Sequence, residues 1–556
     1  MTGGTGRVMP SNDIGGTHMA GNYEAIVIGG GHNGLTAAGY LGKAGIKTLV
    51  LERRAVVGGA AVTEEFHPGY RNSIASYTMG ILRGEVIRDL ELKRHGLRTI
   101  PYRGSLELMN DGRAILFTGE EARDQATIGQ FSNRDYEAAK RLRAQLLRVG
   151  DIIRDQWLRP PPDLAGGWEA IFSSLGTVNK LRKLALEDRL FLTQAFTMSA
   201  HDYFSRWFES PVMKTIYAVH CVSSNFSSLH QPGSAVPYFL NVLGELDGVR
   251  YKWGIPKGGM GAITQAMAAF CREQGVEIRT AAPVSRIVMD KGRAINGARA
   301  IGVRLESGEE ILARVVLANT DPKRTFLGFV GREHLDPEFA DHIERLRMGH
   351  ASLRMNLALK GAPTIAGLSA SDSNFALGCA ITMIADPETV ERCYQAARLG
   401  EMPERPYINM QLASALDPDL APPGHHVMSL LCKYYPYHLS GGRSWDAIKE
   451  QVADSILAAV EGHMPGLSAL IVGRQVLSPL DLERVFGLTE GDIFHGRHDL
   501  DQIFSLRPHP RAARYATPVA GLYLCGSGAH PGGGVSGAPG HNAAKRVIRD
   551  LKRRAA

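Results

Sequence analysis

The spacing of apolar positions changes period along the chain, and each change predicts an element. Ala25–Gly30, "AIVIGG", is an unbroken apolar run closed by glycine, as expected of a strand buried on both faces of a parallel sheet. A helix rich in small residues, "GLTAAGYLGKAG", follows it, and then a second apolar run, "TLVLE", that ends at Glu52. Strand, helix and strand in so short a span read as a βαβ unit. The same character returns three times. "IPKGGMGAITQAMAAFCREQGVEIRT" reads as turn, amphipathic helix and strand; "PVSRIVMD" and a hairpin pattern lead into the apolar strand "RVVLANT", ending at Asn319; and "GLYLCG" precedes the glycine-rich "GSGAHPGGGVSGAPGHNAA" and a last helix starting between Val535 and Pro539.

Between these returns the periodicity is different. Residues 106–240 have mostly helical spacing ("RDYEAAKRLRAQLLRVGDIIRDQW", "NKLRKLALEDRLFLTQAF"), interrupted by the breaker "RPPPD". Residues 331–484 alternate strand patterns ("SLRMNLALKG", "HHVMSLLCKYYPY") with a helix, "WDAIKEQVADSILAAVEGHM". The expected organisation is a Gly/Thr-rich leader over 1–20, a discontinuous nucleotide-binding domain of 21–105, 241–330 and 485–556, and a substrate or cap domain of 106–240 and 331–484. With 556 residues the chain has room for two to four units of roughly 150 residues.

Charge and cysteine usage narrow the class. The net charge of +7 is spread along the chain and never interleaves with aromatics, so no nucleic-acid partner is expected. Six cysteines lack CxxC or metal spacing, so neither a disulfide framework, a redox dithiol nor a metal site is implied. No run approaches the ~18 apolar residues of a membrane span. The expected location is the cytoplasm or an organelle matrix, with peripheral membrane contact through the basic amphipathic stretch around Lys180, Arg182 and Lys183 as one use of the charge.

The loops carry the chemistry. Gly29, Gly31 and Gly34 occupy the GxGxxG positions, where the first makes the tight turn, the second admits a pyrophosphate and the third lets helix and strand pack. Glu52 stands where a carboxylate accepts ribose hydroxyls, about 20 residues on. Arg53, Arg54 and the pair Gly58 and Gly59 extend the site, which suits FAD rather than NAD. "GGMGAI" has the wrong spacing for a second nucleotide site and follows Pro256 rather than a buried strand. Near the C-terminus the start of the last helix offers free N–H groups to the flavin carbonyl that gains negative charge on reduction. His530, His495 and Arg507 are the candidates for the substrate side. His230, ahead of a Gln-Pro-Gly turn, reads as structural, and the tyrosines of "KYYPYH" read as packing, with an aromatic wall as the alternative.

Together "VIGGGHNGLTAAGYLGKAGIKTLVLERRAVVGG", "LHQPGSA", "GGMGAI" and "GLYLCGSGAHPGGGVSGAPGHNAA" resemble the phytoene desaturase-related FAD oxidoreductases over nearly the whole chain from Tyr23. The resemblance implies an α/β fold, a glutathione-reductase-type FAD-binding Rossmann-like domain interleaved with an α+β substrate domain. It implies non-covalent FAD held by Gly29, Gly31, Asn33, Gly34, Glu52, Arg53, Gly58 and Gly59, with Val284 at the adenine and Gly526, Val535 and Ser536 near the flavin end. The leading expectation is hydride removal from a hydrophobic small-molecule substrate, an isoprenoid or polyene among them, with electrons passed to a quinone or dioxygen. An amine or small-molecule oxidase, and a flavin-loaded interaction protein with residual redox activity, are the alternatives.

Overall fold

Two seven-stranded sheets organise the chain in the computed structural model, which describes residues 20–166, 176, 179–290 and 298–555. The leader expected at 1–20 lies outside the described residues except for Ala20, which opens the first strand.

The first sheet runs Glu277–Arg279, Thr48–Leu51, Ala20–Ile28, Glu310–Ala318, Arg299–Leu305, Val284–Asp290, with Leu522–Leu524 added beside Glu310–Ala318. Its centre is parallel: Ala20–Ile28 pairs in parallel with both Thr48–Leu51 and Glu310–Ala318. Ala25, Ile26, Val27, Leu49, Val50, Val315 and Val316 have no exposed surface, which is why these runs carry no polar alternation. Helix His32–Lys43 covers one face and packs against Gly261–Glu273 and Ala538–Ala555. Its small residues are what permit the approach. A Cβ on Gly42 would stand 2.6 Å from Val276, and one on Gly540 would stand 2.1 Å from the Asn33 carbonyl.

The second sheet runs Ile471–Leu477, Ser352–Leu359, His426–Lys433, Tyr407–Leu412, Ala380–Ile384, Ser105–Met109, Ala114–Phe117. One face is apolar: Leu353, Met355, Leu357, Met410 and Leu430 pack on helix Trp445–Glu461 through Ile456 and Val460. The other face is polar yet buried. Register aligns Arg354, Leu431, Asn409, Thr382 and Glu107 in one row across five strands. Such a row is stable only if something covers it and meets its hydrogen bonds.

Two expectations are corrected. The helix drawn through "NKLRKLALEDRLFLTQAF" is broken at Leu184–Ala185, and its second part is Leu186–Thr197. The glycines of "GGMGAI" do follow a short buried strand, Gly254–Pro256, but it pairs with Thr99–Pro101 outside the parallel sheet. Helix Gly261–Glu273 therefore does not open a second nucleotide site.

Candidate flavin site

At the tip of the first strand the chain turns through Gly29, whose φ of 97° is open to glycine. Gly31 caps the following helix without a side-chain bond, leaving the first N–H groups of His32–Lys43 free for an anion. Gly34 has no room for anything larger, since its Cβ would stand 2.1 Å from the Gly29 carbonyl oxygen. Asn319, at the end of the neighbouring strand, donates from Nδ2 to that same carbonyl at 3.1 Å.

Glu52 is 5% exposed and is held rather than free: Oε2 accepts from Gly30 N at 2.8 Å and Oε1 from Arg54 N at 2.9 Å. Each carboxylate oxygen keeps a further lone pair for a ribose hydroxyl. Gly58, with φ 134°, donates from N to the Gly30 carbonyl at 2.9 Å, and a Cβ on Gly59 would stand 3.3 Å from Gly31 Cα. The second glycine pair is therefore packed on the first loop. Arg53 turns elsewhere: Nη2 donates to the Arg484 and Val485 carbonyls at the C-terminal end of helix Pro479–Phe486. Val284 begins its strand just after Ala282, whose N–H bonds the Glu52 carbonyl at 2.9 Å. That bond ties the start of the Val284–Asp290 strand to Glu52.

The loop Gly526–Gly537 closes over the same place. Gly526 to His530 are all buried, and a Cβ on Gly526 would stand 2.9 Å from the Asn319 carbonyl. Asn33 Nδ2 donates to Ser527 Oγ at 3.1 Å, and His32 Nε2 donates to the Gly534 carbonyl at 3.1 Å, so the first helix holds the last loop directly. Val535 and Ser536 lead into helix Ala538–Ala555, with the Ser536 hydroxyl accepting from Ala538 N at 3.2 Å.

Around this loop lie the three substrate-side candidates. His530 is 2% exposed, and its Nε2 donates to the Gln156 carbonyl at 3.1 Å while its ring lies 5.7 Å from that of Phe504. Burial pulls it to about 4, so it is neutral. His495 sits at φ 59°, also pulled to about 4 by burial. Arg507 is spent on backbone: its guanidinium donates to the carbonyls of Phe494, Gly496, Arg497, Gln502 and Ser527 at 2.8 to 3.2 Å. Burial lowers it only to about 10, so the charge stays. The structure thus brings His495 and Arg507 to one loop, with His530 turned toward helix Asn133–Trp157.

Sequence reasoning missed several groups here. His498 Nε2 accepts from Gly533 N at 3.2 Å, and burial pulls it to about 3. Asp492, raised by burial, accepts from Phe494 N and Gly496 N at 2.8 and 3.2 Å. His32 and Asn319 lay inside quoted motifs, but nothing in spacing gives a side chain's partner. The tyrosines of "KYYPYH" form no open wall: Tyr434 and Tyr435 are packed in cores and Tyr437 bonds Glu483.

The residues fit FAD on three observations. The glycine positions leave room for a backbone-hugging pyrophosphate, the buried Glu52 carboxylate stands beside them with lone pairs to spare, and Asn33 Oδ1, His495 Nδ1 and His530 Nδ1 are buried polar atoms without a partner among the described residues.

Comparison with known proteins agrees. Residues 34–548 match the family described as flavin containing amine oxidoreductase, and the chain belongs to it. It is an FAD-dependent oxidoreductase. Among curated proteins it is 38% identical to the rat pyridine nucleotide-disulfide oxidoreductase domain-containing protein 2, over 95% of this chain and 94% of that protein. It is 26% identical to a limonene dehydrogenase chain of Castellaniella defragrans, covering 95% of each. Among solved structures, wild-type putrescine oxidase bound to putrescine shares the fold, with a TM-score of 0.58, 14% identity and coverage of 96% of this chain and 99% of that one.

Proposed function

We propose that the protein removes hydride from a largely hydrophobic small-molecule substrate, and that a quinone or dioxygen takes the electrons. FAD, when bound, accepts the hydride at flavin N5. In this reading Gly29, Gly31, Asn33, Gly34, Glu52, Gly58, Gly59 and Val284 hold the nucleotide half, and Gly526, Val535 and Ser536 border the ring. The parallel sheet with 21–105, 241–330 and 485–556 is the FAD-binding unit, of glutathione-reductase type, and 106–240 with 331–484 is the cap. Arg507 and Asp492 shape the loop, while His495 and His530 remain candidates for the substrate side.

The observation that carries the reading is the joining of the Gly29–Gly34 turn to the Gly526–Gly537 loop through Asn33–Ser527 and His32–Gly534, and the cysteines weigh against the thiol alternative. All six are buried and unpaired, and burial pushes the thiols up, to about 12 for Cys271, Cys379 and Cys432. Thiols so held make poor nucleophiles, which argues against dithiol chemistry. The cap interior is instead aromatic, with Phe191, Phe204, Phe226 and Phe239 in one cluster. The relative named for limonene dehydrogenase, and phytoene desaturases at lower identity, support an apolar substrate. Among the described residues no helix is long and apolar enough to cross a membrane. Exposed Leu186 and Leu190 beside basic Arg182 and Lys183 support peripheral contact instead.

The test is anaerobic mixing of the yellow protein with isoprenoids, polyenes and amines, followed by the visible flavin band. Bleaching by an isoprenoid or polyene and not by amines is expected. Bleaching by amines alone would sink the reading in favour of amine oxidation.

A further inference from the structure

Two arginines meet beside the nucleotide turn with no carboxylate pairing either of them. Helix Pro479–Phe486 ends at Gly487, whose φ of 71° is left-handed. Arg53, next along the chain from Glu52, spends Nη2 on the Arg484 and Val485 carbonyls of that helix end. Its Nη1 is left over and lies 3.3 Å from the point where a Cβ on Gly487 would stand. Arg324 comes to the same point, with Cζ at 3.3 Å and Nη1 at 3.4 Å. The two Nη1 atoms are therefore within about 7 Å of each other, a span that one phosphate bridges with charge-assisted bonds of about 2.8 Å to each side. Their repulsion shows in Arg53, whose guanidinium is lowered first by burial and next by the Arg324 charge.

The carboxylates close by are committed elsewhere. Glu52 accepts from Gly30 N and Arg54 N, Glu64 holds Arg54, and Asp321 accepts from Arg324 N and from the Thr489 hydroxyl. Glu490 stands 3.7 Å from Lys323, and the exposed Glu306 acts on Arg53 through its charge alone. The Arg324 guanidinium makes no hydrogen bond or ion pair among the described residues, and its Nε is buried without a partner. Arg54, which stacks on Phe486 at 4.9 Å, brings a third guanidinium to this helix end, and its Nη1 is likewise buried and unmatched. Arg53 and Arg324 are both partly exposed, so an ion reaches them without a channel.

We propose that Arg53 and Arg324 bind a phosphate group. A carboxylate is planar and carries one charge; a phosphate offers oxygens in several directions and close to two charges, which matches two guanidiniums brought to one point. Two sources share that chemistry. One is the pyrophosphate of FAD, which the oxidoreductase reading sets one sugar away from Glu52, and this source rests on that reading. The other is a separate phosphorylated ligand seated beside the cofactor.

The experiment uses the FAD-loaded protein in phosphate-free buffer at fixed ionic strength, the parent beside Arg324→Gln and Arg324→Lys. Orthophosphate is titrated in by calorimetry, and FAD release on dilution is followed by the return of flavin fluorescence. If the phosphate is that of FAD, Arg324→Gln releases the flavin at least tenfold faster, Arg324→Lys recovers part of the loss, and the parent takes up no orthophosphate. If it belongs to a separate ligand, the parent binds orthophosphate, Arg324→Gln abolishes that binding, and flavin release stays within twofold. The proposal is overturned by no phosphate uptake together with unchanged flavin release, by phosphate binding that survives Arg324→Gln, or by flavin loss equal in the glutamine and lysine variants. No turnover is measured, so failure here leaves the anaerobic bleaching test to decide the oxidoreductase reading separately.

Discussion

Replacing Arg507 by lysine keeps the positive charge and removes the fork that the last loop depends on. The guanidinium serves five carbonyls, those of Phe494, Gly496, Arg497, Gln502 and Ser527. An ammonium has three donors, so at least two of these oxygens lose their partner in a site where Arg507 itself is 2% exposed. A buried acceptor left unmet costs ~1–3 kcal/mol, which puts the total at ~2–6 kcal/mol. Ser527 links this clamp to Asn33 across a 3.1 Å bond, so the loss falls on the flavin loop. The readout is the temperature at which flavin fluorescence appears as the holoprotein is heated. It should fall by roughly 4 °C or more if a cooperative unit of about 200 residues bears the change. Arg507→Lys should also weaken FAD affinity at least tenfold. A variant that keeps flavin-release temperature and FAD affinity but loses turnover through a raised KM would refute the reasoning and return Arg507 to the substrate.

Other outcomes follow from the same geometry. Gly34→Ala sets a Cβ 2.1 Å from the Gly29 oxygen, and overpacking of this kind costs ~1–3 kcal/mol; the flavin-to-protein ratio after gel filtration should drop sharply. Glu52→Ala removes the acceptor of Gly30 N and the ribose carboxylate together, so dialysis should bleach it; full yellow colour retained through long dialysis would count against the ribose placement. Acid should destabilise the protein as pH falls from 6.5 toward 4. His530 drops from its ordinary 6.5 to about 4, so between these values the unfolded chain binds the proton that the fold refuses, and about 3 kcal/mol is lost across the window. Denaturant midpoints that stay flat from pH 7 to 4 would contradict this.

What was legible in the sequence was whatever depends on local spacing. The continuous apolar runs gave the parallel strands because both faces are covered, and the glycines gave the tight Gly29–Gly34 turn because only their backbones fit it. The break at Leu184–Ala185 was not visible, because apolar spacing continues across it while the helix does not. Side-chain partners were harder still. Arg507 looked like a pocket residue because an arginine beside a proline carries no sign that five carbonyls from residues 494 to 527 will converge on it. Glu107 and His220 are 113 residues apart and stand in no motif. Their pairing exists only after strand Ser105–Met109 and helix Pro211–Val222 are packed together. Strand Ser352–Leu359 is buried on both faces, so Arg354 and Asn356 alternate with apolar residues and still face a covered interior.

We propose that two glycine loops at opposite ends of the chain build one FAD site, and a crystal structure of the flavin-loaded protein tests this most directly. The pyrophosphate is expected on Gly29–Gly34, the adenosine ribose at Glu52 and the isoalloxazine ring against Gly526–Ser536. A ring bound away from that last loop, or a nucleotide that leaves Glu52 untouched, would contradict it.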